Sequence, residues 1–434
     1  MSDRRDEPTR LARRLGLGDA VVVGLGSMIG AGIFSAFGPA ARAAGAGLLV
    51  GLAIAAVVAY CNATSSAALA ARYPASGGTY VYGRERLGPF WGHLAGWGFV
   101  VGKTASCAAM ALTVGAYAAP TWSRPIALAA VVAVTAVDLR GVHRTVATTR
   151  VIVAIVLVAL ALVVIAAWFG GTASRAHLGD VTGGARGILE SAGLLFFAFA
   201  GYARIATLGE EVRDPARTIP KAIPRALGIT LAVYAVVAVS ALAAVGPAAL
   251  AASTAPLATV VRAGTLDALV PAVRVGATIA ALGVLLSLVA GVGRTTFAMA
   301  SDGALPRSLA AVHPRHQVPH RAELAVGVVV AALVLVADLR GAIGFSSFCV
   351  LCYYAVANAS AWTLPGEARP RRRVTAGLGL VGCVLLAGTL PLASVLSGAT
   401  VLAVGALAWF VRSPHRRRRD RVGAPDRLGG RGGT

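Results

Sequence analysis

Between residues 18 and 412 the chain returns repeatedly to apolar runs of about eighteen residues or more, separated by short polar or basic stretches. About 20 apolar residues cross the hydrocarbon of a bilayer, and a helix is the spanning form that satisfies its own backbone within one segment. Only 13% of the 434 residues are charged and 57% are hydrophobic, whereas soluble chains carry about 25% charged residues. The expected fold class is therefore an all-α polytopic membrane protein. Twelve transmembrane helices are expected, near 18–44, 47–70, 89–118, 124–140, 149–169, 187–209, 222–245, 271–298, 323–340, 342–363, 374–392 and 394–412. The segment 247–265 mixes Pro247, Pro256 and hydroxyl residues and is expected on the outer surface. The opening MSDRRDEPTRLARRLG runs straight into the first span without a small-residue cleavage site, so no signal peptide is expected.

The formal net charge of +22 invites a nucleic-acid reading, but the position of the charges argues against it. With the N-terminus inside, 31 of the 40 Lys and Arg fall in the inner segments 1–17, 72–88, 140–150, 213–225, 294–321, 369–373 and 412–431, and seven in the outer ones. That asymmetry is the positive-inside pattern. It predicts a multi-pass protein of the cell membrane with both termini cytoplasmic. For the Arg-rich tail, His415 to Arg431, anionic lipid headgroups are the expected partner and nucleic acid is not. The five cysteines, Cys61, Cys107, Cys349, Cys352 and Cys383, all lie in apolar spans. The Cys349–Cys352 pair lacks the second pair or nearby His of a zinc pattern, so buried thiols are expected, with no metal and no cofactor.

Two spans are irregular. The first, VVVGLGSMIGAGIF at 21–34, places Gly24, Gly26, Gly30 and Gly32 within nine residues, at a cost of roughly 1 kcal/mol per Gly relative to Ala in a helix. The sixth, GILESAGLLFFAFAGYARIATLGEEV, is interrupted in its middle by Gly201 and polar residues. Five crossings separate the two, so the second copy lies upside down. Broken helices at matching places in inverted halves are the sequence pointer to a transporter's binding site. The expected organisation is a cytoplasmic N-terminal segment (1–17), a first repeat of helices 1–5 (18–170), a second of helices 6–10 (187–363), helices 11–12 (374–412) and a basic tail (413–434).

Irregular backbone survives in a membrane only against protein or a wet cavity. An unwound Gly26–Gly32 segment would present amide groups and a half-helix N-terminus suited to a carboxylate. Carbonyls freed around Phe199 to Ala203 would accept from an ammonium group. The competing reading is close packing, since Gly26 to Gly30 is a GxxxG motif. A dinucleotide loop would need glycine at Ile29 and a strand before it.

These segments resemble the amino acid–polyamine–organocation (APC) superfamily of permeases, whose fold is the LeuT-type five-plus-five inverted repeat with discontinuous helices 1 and 6. GSMIGAGIF at 26–34, YPASGGTYVYGRERLG at 73–88, FFAFAGYARIATLGEEVRDPARTIPKAI at 196–223 and RTTFAMASDGALPRSLAAVHPRHQVPHRAE at 294–323 carry the likeness, in the family's order and spacing. The resemblance implies a substrate carboxylate on the backbone of Ser27, Met28, Ile29, Gly30, Ala31 and Gly32. It implies the amine at the carbonyls of Phe196 to Gly201, which include Ala200, and an aromatic gate at Phe199 or Tyr202. Glu210, Glu211, Arg213 and Asp214 would form an inner loop network.

Some cationic amino acid carriers of the family have Asp where this chain has Ala203 and a small residue where it has Arg204, which disfavours a Lys-like substrate. Certain proton-coupled relatives place a Lys in span five where this chain has Val156. Lys103 is the one Lys deep in an apolar span. An intramembrane ionisable residue is a functional candidate, and Lys103 is expected to replace the missing coupling group; a structural Lys bound to backbone carbonyls is the alternative. Sodium coupling has less support, because Thr295 and Thr296 lie near the inner end of span eight and leave Ser287 alone.

The expected function is secondary active transport of an amino acid, coupled to H+ in symport. An exchanger of the same fold and a nutrient-sensing receptor are the alternatives. No enzymatic activity is expected: HExxH is absent, all seven His lie in loops or at span ends, and the GxGD at Gly16–Asp19 sits at the membrane edge without a partner Asp in a span.

Overall fold

The computed structural model describes residues 15–73, 77–141, 146–206, 212–366 and 369–422. Within them the apolar runs are helical throughout and no strand forms. In chain order the helices are α1 (Leu17–Met28), α2 (Ala31–Ser35), α3 (Phe37–Ala44), α4 (Leu48–Arg72), α5 (Thr79–Leu87), α6 (Pro89–Ala118), α7 (Ser123–Leu139), α8 (Val146–Phe169), α9 (Gly184–Phe199), α10 (Ala203–Ala206), α11 (Pro215–Ala252), α12 (Pro256–Arg262), α13 (Val270–Ser301), α14 (His320–Val336), α15 (Leu339–Trp362), α16 (Arg369–Thr389) and α17 (Leu392–Val422).

Among the described residues, ten helical stretches are long and apolar enough to cross a membrane, α1 and α2 counting as one. The expected sixth and ninth spans are shorter. Helix α9 stops after 16 residues and α14 has 17, which is about 25 Å of helix. The twelve expected spans thus correspond to ten long stretches and two short helices.

Helix ends follow local chemistry. Pro89 opens α6 directly after Gly88, whose φ is 108°, and Asp338 caps α15 by accepting from the Gly341 amide at 3.1 Å. Asp19 of the GxGD sequence turns back to accept from the Gly16 amide at 3.0 Å and pairs with Arg150, so it holds the start of α1. The segment 247–265, expected on the outer surface, forms no span of its own, and its short helix is packed into one end of the bundle. Helical geometry is interrupted at Gly246 (φ 73°) and resumes to Ala252, and Pro256, Leu257, Ala258, Val260 and Val261 of α12 are buried. The reason is that α12 plugs one end of the bundle, where the Leu257 amide donates to the Tyr117 hydroxyl at 3.2 Å.

Helices α6 and α15 form the centre, with 78% of each span buried, while α17 is peripheral at 17%. Large apolar side chains nevertheless point outward, among them Val132, Val158, Val328, Val381 and Leu407. Apolar area that continuous would be a liability in water and is what a lipid-facing wall requires. The five cysteines are free thiols, four of them buried.

Candidate functional site

Helix α1 runs through Gly24 and Gly26 without interruption and breaks at Ile29 (ψ 65°) and Gly30 (φ −125°, ψ −145°). The unwound segment is therefore shorter than the expected Gly26–Gly32. Gly26 is a packing glycine: a Cβ there would meet Thr149 Cγ2 at 2.6 Å. Gly30 donates to the Met28 carbonyl at 2.8 Å in a tight turn, and α2 then starts with no side-chain cap. Its first-turn amides lack intrahelical acceptors, as at any helix start.

The second break is a change of helical pitch. Helix α9 ends at Phe199, Ala200–Tyr202 form one 3₁₀ turn, and α10 follows. Glu210 and Glu211 lie outside the described residues. Nearby, Asp214 pairs with Arg217 at 3.7 Å and the Arg213 amide donates to the Leu15 carbonyl at 2.9 Å, tying this segment to the start of α1.

The two breaks cross in contact. A Cβ on Gly201 would land on the Ser27 carbonyl group, 2.8 Å from the Met28 amide nitrogen, and one on Gly32 would sit 2.7 Å from Ala198 Cα. Both contacts are backbone against backbone, so glycine is required for the approach. Tyr234 of α11 holds the crossing from behind. Its buried hydroxyl reaches the Met28 carbonyl and the Ala198 carbonyl, the latter at 3.0 Å. One phenolic hydroxyl thus ties a carbonyl of each broken helix to α11, the Met28 carbonyl also accepting from Gly30.

Beside the crossing lies a cavity of about 430 Å³. It is lined by Ser27, Met28, Gly30 and Gly32 from the first break, by Ala200 and Gly201 from the second, and by Lys103. The structure therefore brings together seven of the twelve residues expected to hold the substrate or couple its transport. The other five lie elsewhere or carry no side-chain description. Ile29 is buried behind the turn. Phe196 and Tyr202 pack on Tyr354, with ring centroids 5.9 and 5.1 Å away, and Phe199 packs on Tyr234 at 5.1 Å. Ala31 is placed as the first residue of α2, its side chain outside the description.

The aromatic side chains on the lining are Phe197, Phe99, Tyr80 and Tyr353. Helix α6 contributes Gly96, Phe99, Lys103, Ser106 and Met110. These recur every three or four residues, the signature of one helical face, so Lys103 was enough to point to its neighbours. Lys103 itself is 8% exposed, and Ser106 Oγ shares a hydrogen bond with Ser346 Oγ at 2.6 Å. Ser287 and Thr295 of α13 also reach the cavity, but Thr295 Oγ1 already donates to the Gly291 carbonyl at 3.0 Å. Val156 is fully buried away from it. The charged residues on the lining, Lys103, Arg204 and Arg294, are all basic.

The cavity extends past Gly77, Gly78, Tyr80 and Arg294 toward one end of the bundle. There the Tyr80 hydroxyl donates to Asp302 Oδ2 at 2.7 Å, and Arg84 pairs with the same oxygen at 3.0 Å. This contact joins the 73–88 and 294–323 sequence elements. The opposite end is packed shut. The Tyr117 hydroxyl donates to the Phe34 carbonyl at 2.8 Å, their rings meet edge-on at 5.7 Å, and Arg274 donates to the Tyr117 carbonyl at 2.7 Å.

The sequence profile of the Amino acid permease family matches residues 19–368, a stretch that contains both breaks and every residue named on the cavity wall. The chain belongs to this family. The permease is 66% identical over 412 residues to an uncharacterized transporter of Mycobacterium tuberculosis, covering 94% of this chain and 93% of that protein. It is 27% identical over 348 residues to a branched-chain amino acid permease of Bacillus subtilis, 74% of each chain being covered. It is also 27% identical over 363 residues to a vacuolar cationic amino acid transporter of Arabidopsis thaliana, covering 77% of this chain and 60% of that one. The family match ends just before α16, so the residues that line the cavity all lie within it.

Proposed function

We propose that the permease is a secondary active transporter that moves an amino acid across the cell membrane by alternating access, in symport with protons. The observation that carries this reading is the single cavity walled at once by both helix breaks. In the inverted five-plus-five arrangement of 18–170 and 187–363, each half supplies one broken helix to the site. The substrate carboxylate sits against the Ser27–Gly32 backbone, where the amides at the start of α2 have no capping side chain. The amine meets the carbonyls of the 3₁₀ turn, since no acidic side chain faces the cavity among the described residues.

Three basic side chains on the wall favour a substrate that brings a carboxylate and no second cation. A neutral amino acid fits this better than lysine or arginine. The family's aromatic gate falls to Phe197 or Tyr80, two of the four rings on the lining, rather than to Phe199 and Tyr202. With both termini cytoplasmic, as the Lys and Arg asymmetry favours, the open end is the inner one, and the permease is in an inward-facing state. Lys103, buried on the cavity wall, is the coupling candidate, and the basic tail docks on anionic lipid.

The test is uptake of labelled L-leucine, and then of the other nineteen amino acids, by purified permease in liposomes. Accumulation above equilibrium with an inward proton gradient, abolished by a protonophore, is expected. Flux that never exceeds equilibration refutes the coupling. Exchange that requires substrate on both sides identifies an antiporter, and binding without flux identifies a receptor.

A further inference from the structure

Two carboxylates are buried together where α7, α13 and α14 meet. Asp138, in the last turn of α7, is 0% exposed, and Glu323, in the first turn of α14, is 2% exposed. Both carboxylate oxygens of Asp138, Oε2 of Glu323 and the hydroxyl of Thr135, one turn earlier on α7, have no hydrogen-bond partner. The helices approach through glycine at this point. A Cβ on Gly293 would lie 2.6 Å from Glu323 Cγ, and one on Gly327 would lie 2.7 Å from Thr135 Oγ1.

The charges facing the pair come from every neighbouring helix. Glu323 lies against Gly293 of α13, the residue before Arg294, and Asp138 is one turn from Thr135, which lies against Gly327 of Glu323's own helix, so the field of Arg294 reaches both carboxylates. On α6, the buried Cys107, one turn from Lys103, is the titratable group whose field reaches Asp138. On the pair's own helices, Arg140 follows Asp138, and His320 and Arg321 precede Glu323. His320 stacks on His313 with centroids 5.5 Å apart, and the short turn Arg307–Ala310 packs against the start of α14. Arg294 also lines the cavity, so one residue is common to the substrate space and to the surroundings of the acidic pair.

Two ionised carboxylates opposite one guanidinium leave an uncompensated negative charge out of water, where like charges cannot both be sustained. One proton removes the excess. It also turns one carboxyl into a donor for the orphan oxygens around it.

We propose that Asp138 and Glu323 form a proton-binding site, one proton shared between the two carboxyls, with Arg294 as the counter-charge that competes with that proton. The inference rests on the reading of a proton-coupled carrier and adds a second proton-binding place beside the coupling candidate Lys103. With the proton bound, the pair releases its hold on Arg294, the cavity becomes more positive, and a substrate carboxylate is drawn in. With the proton gone, Arg294 is drawn back to the pair and the substrate is held less well. Proton and amino acid therefore favour each other's binding, which is the sign a symporter requires.

The experiment is a pH titration of the purified full-length permease by infrared difference spectroscopy, with Asp138→Asn and Glu323→Gln as variants and gel filtration as the check of folding. A protonated-carboxyl band that is present in the wild type and lost or shifted in either variant is expected. Its absence from the wild type, or its persistence unchanged in both variants, overturns the proposal. In liposomes, the ratio of gradient-driven L-leucine uptake to leucine exchange is expected to fall at least tenfold in each variant; an unchanged ratio also overturns it, as does leucine binding that depends on sodium and loses that dependence in the variants. If the wild type neither binds nor moves leucine, the transport reading fails on that probe while the infrared result still decides the proton site.

Discussion

Gly32 is the sharpest point at which to press on the site, because its neighbour is main chain. A Cβ at this position sits 2.7 Å from Ala198 Cα and 2.9 Å from Ala198 Cβ. Carbon atoms reach their energy minimum at about 3.5–4.0 Å, so Gly32→Ala obliges α2 and α9 to separate by about 1 Å. Overpacking of this kind costs about 1–3 kcal/mol. If the whole cost falls on the conformation that grips substrate, Kd weakens about 5- to 140-fold, at 1.4 kcal/mol per tenfold. The measurement is equilibrium binding of whichever amino acid most stabilises the protein in a thermal-shift screen, with gel filtration to show that the variant remains folded and monodisperse. Gly228→Ala on α11, where a Cβ meets nothing within 4 Å, is the control. It is expected to bind normally and to be stabilised by a few tenths to 1 kcal/mol. Gly30→Ala clashes with the side chain of Val284, while the Ala280 carbonyl oxygen at 4.0 Å is at ordinary contact distance, so pairing it with Val284→Ala is expected to restore binding. Normal affinity in Gly32→Ala would show that the crossing of α2 and α9 does not shape the site, and would refute the reasoning.

Three further outcomes follow from particular contacts. Tyr234→Phe removes the donor shared by the Met28 and Ala198 carbonyls and is expected to cost about 1–3 kcal/mol, read as a lowered Tm; an unchanged melting curve would count against the bridge. Arg204→Ser takes a cation from the cavity wall; two unit charges about 8 Å apart at an effective dielectric of about 20 repel by roughly 2 kcal/mol, so discrimination against lysine in competition assays is expected to fall on the order of tenfold. Lys103→Met is expected to abolish accumulation driven by a proton gradient, and accumulation equal to wild type would remove Lys103 from the coupling scheme.

Much of the architecture was legible before any tertiary contact was known. Apolar runs of membrane-spanning length dictate helices, because a chain in lipid must satisfy its backbone internally. Basic residues between the runs predict an orientation, and the family resemblance rests on short motifs around the breaks and loops. The position of the first break could be read from glycine spacing, although which glycine did what could not: Gly24 and Gly26 pack inside an intact helix while Gly30 opens it. Helix α14 was expected at 323–340 and forms three residues earlier, with Glu323 inside its first turn.

What the sequence left open was the rotation of each helix about its axis. In a soluble helix the apolar stripe marks the buried face. In α13 or α8 nearly every face is apolar, so periodicity does not say which residue looks inward. Phe197 therefore lines the cavity where Phe199 and Tyr202 were expected, and Tyr234 emerged as the clamp although it sits in an ordinary apolar span. Asp138 and Glu323 are 185 residues apart and unremarkable as span-end acids. Only the packing of α7 on α14 through Gly327 puts them in one buried site. Composition and spacing decided that this chain lives in a membrane as helices, two of them broken; the docking of those helices decided which atoms a substrate and a proton can reach.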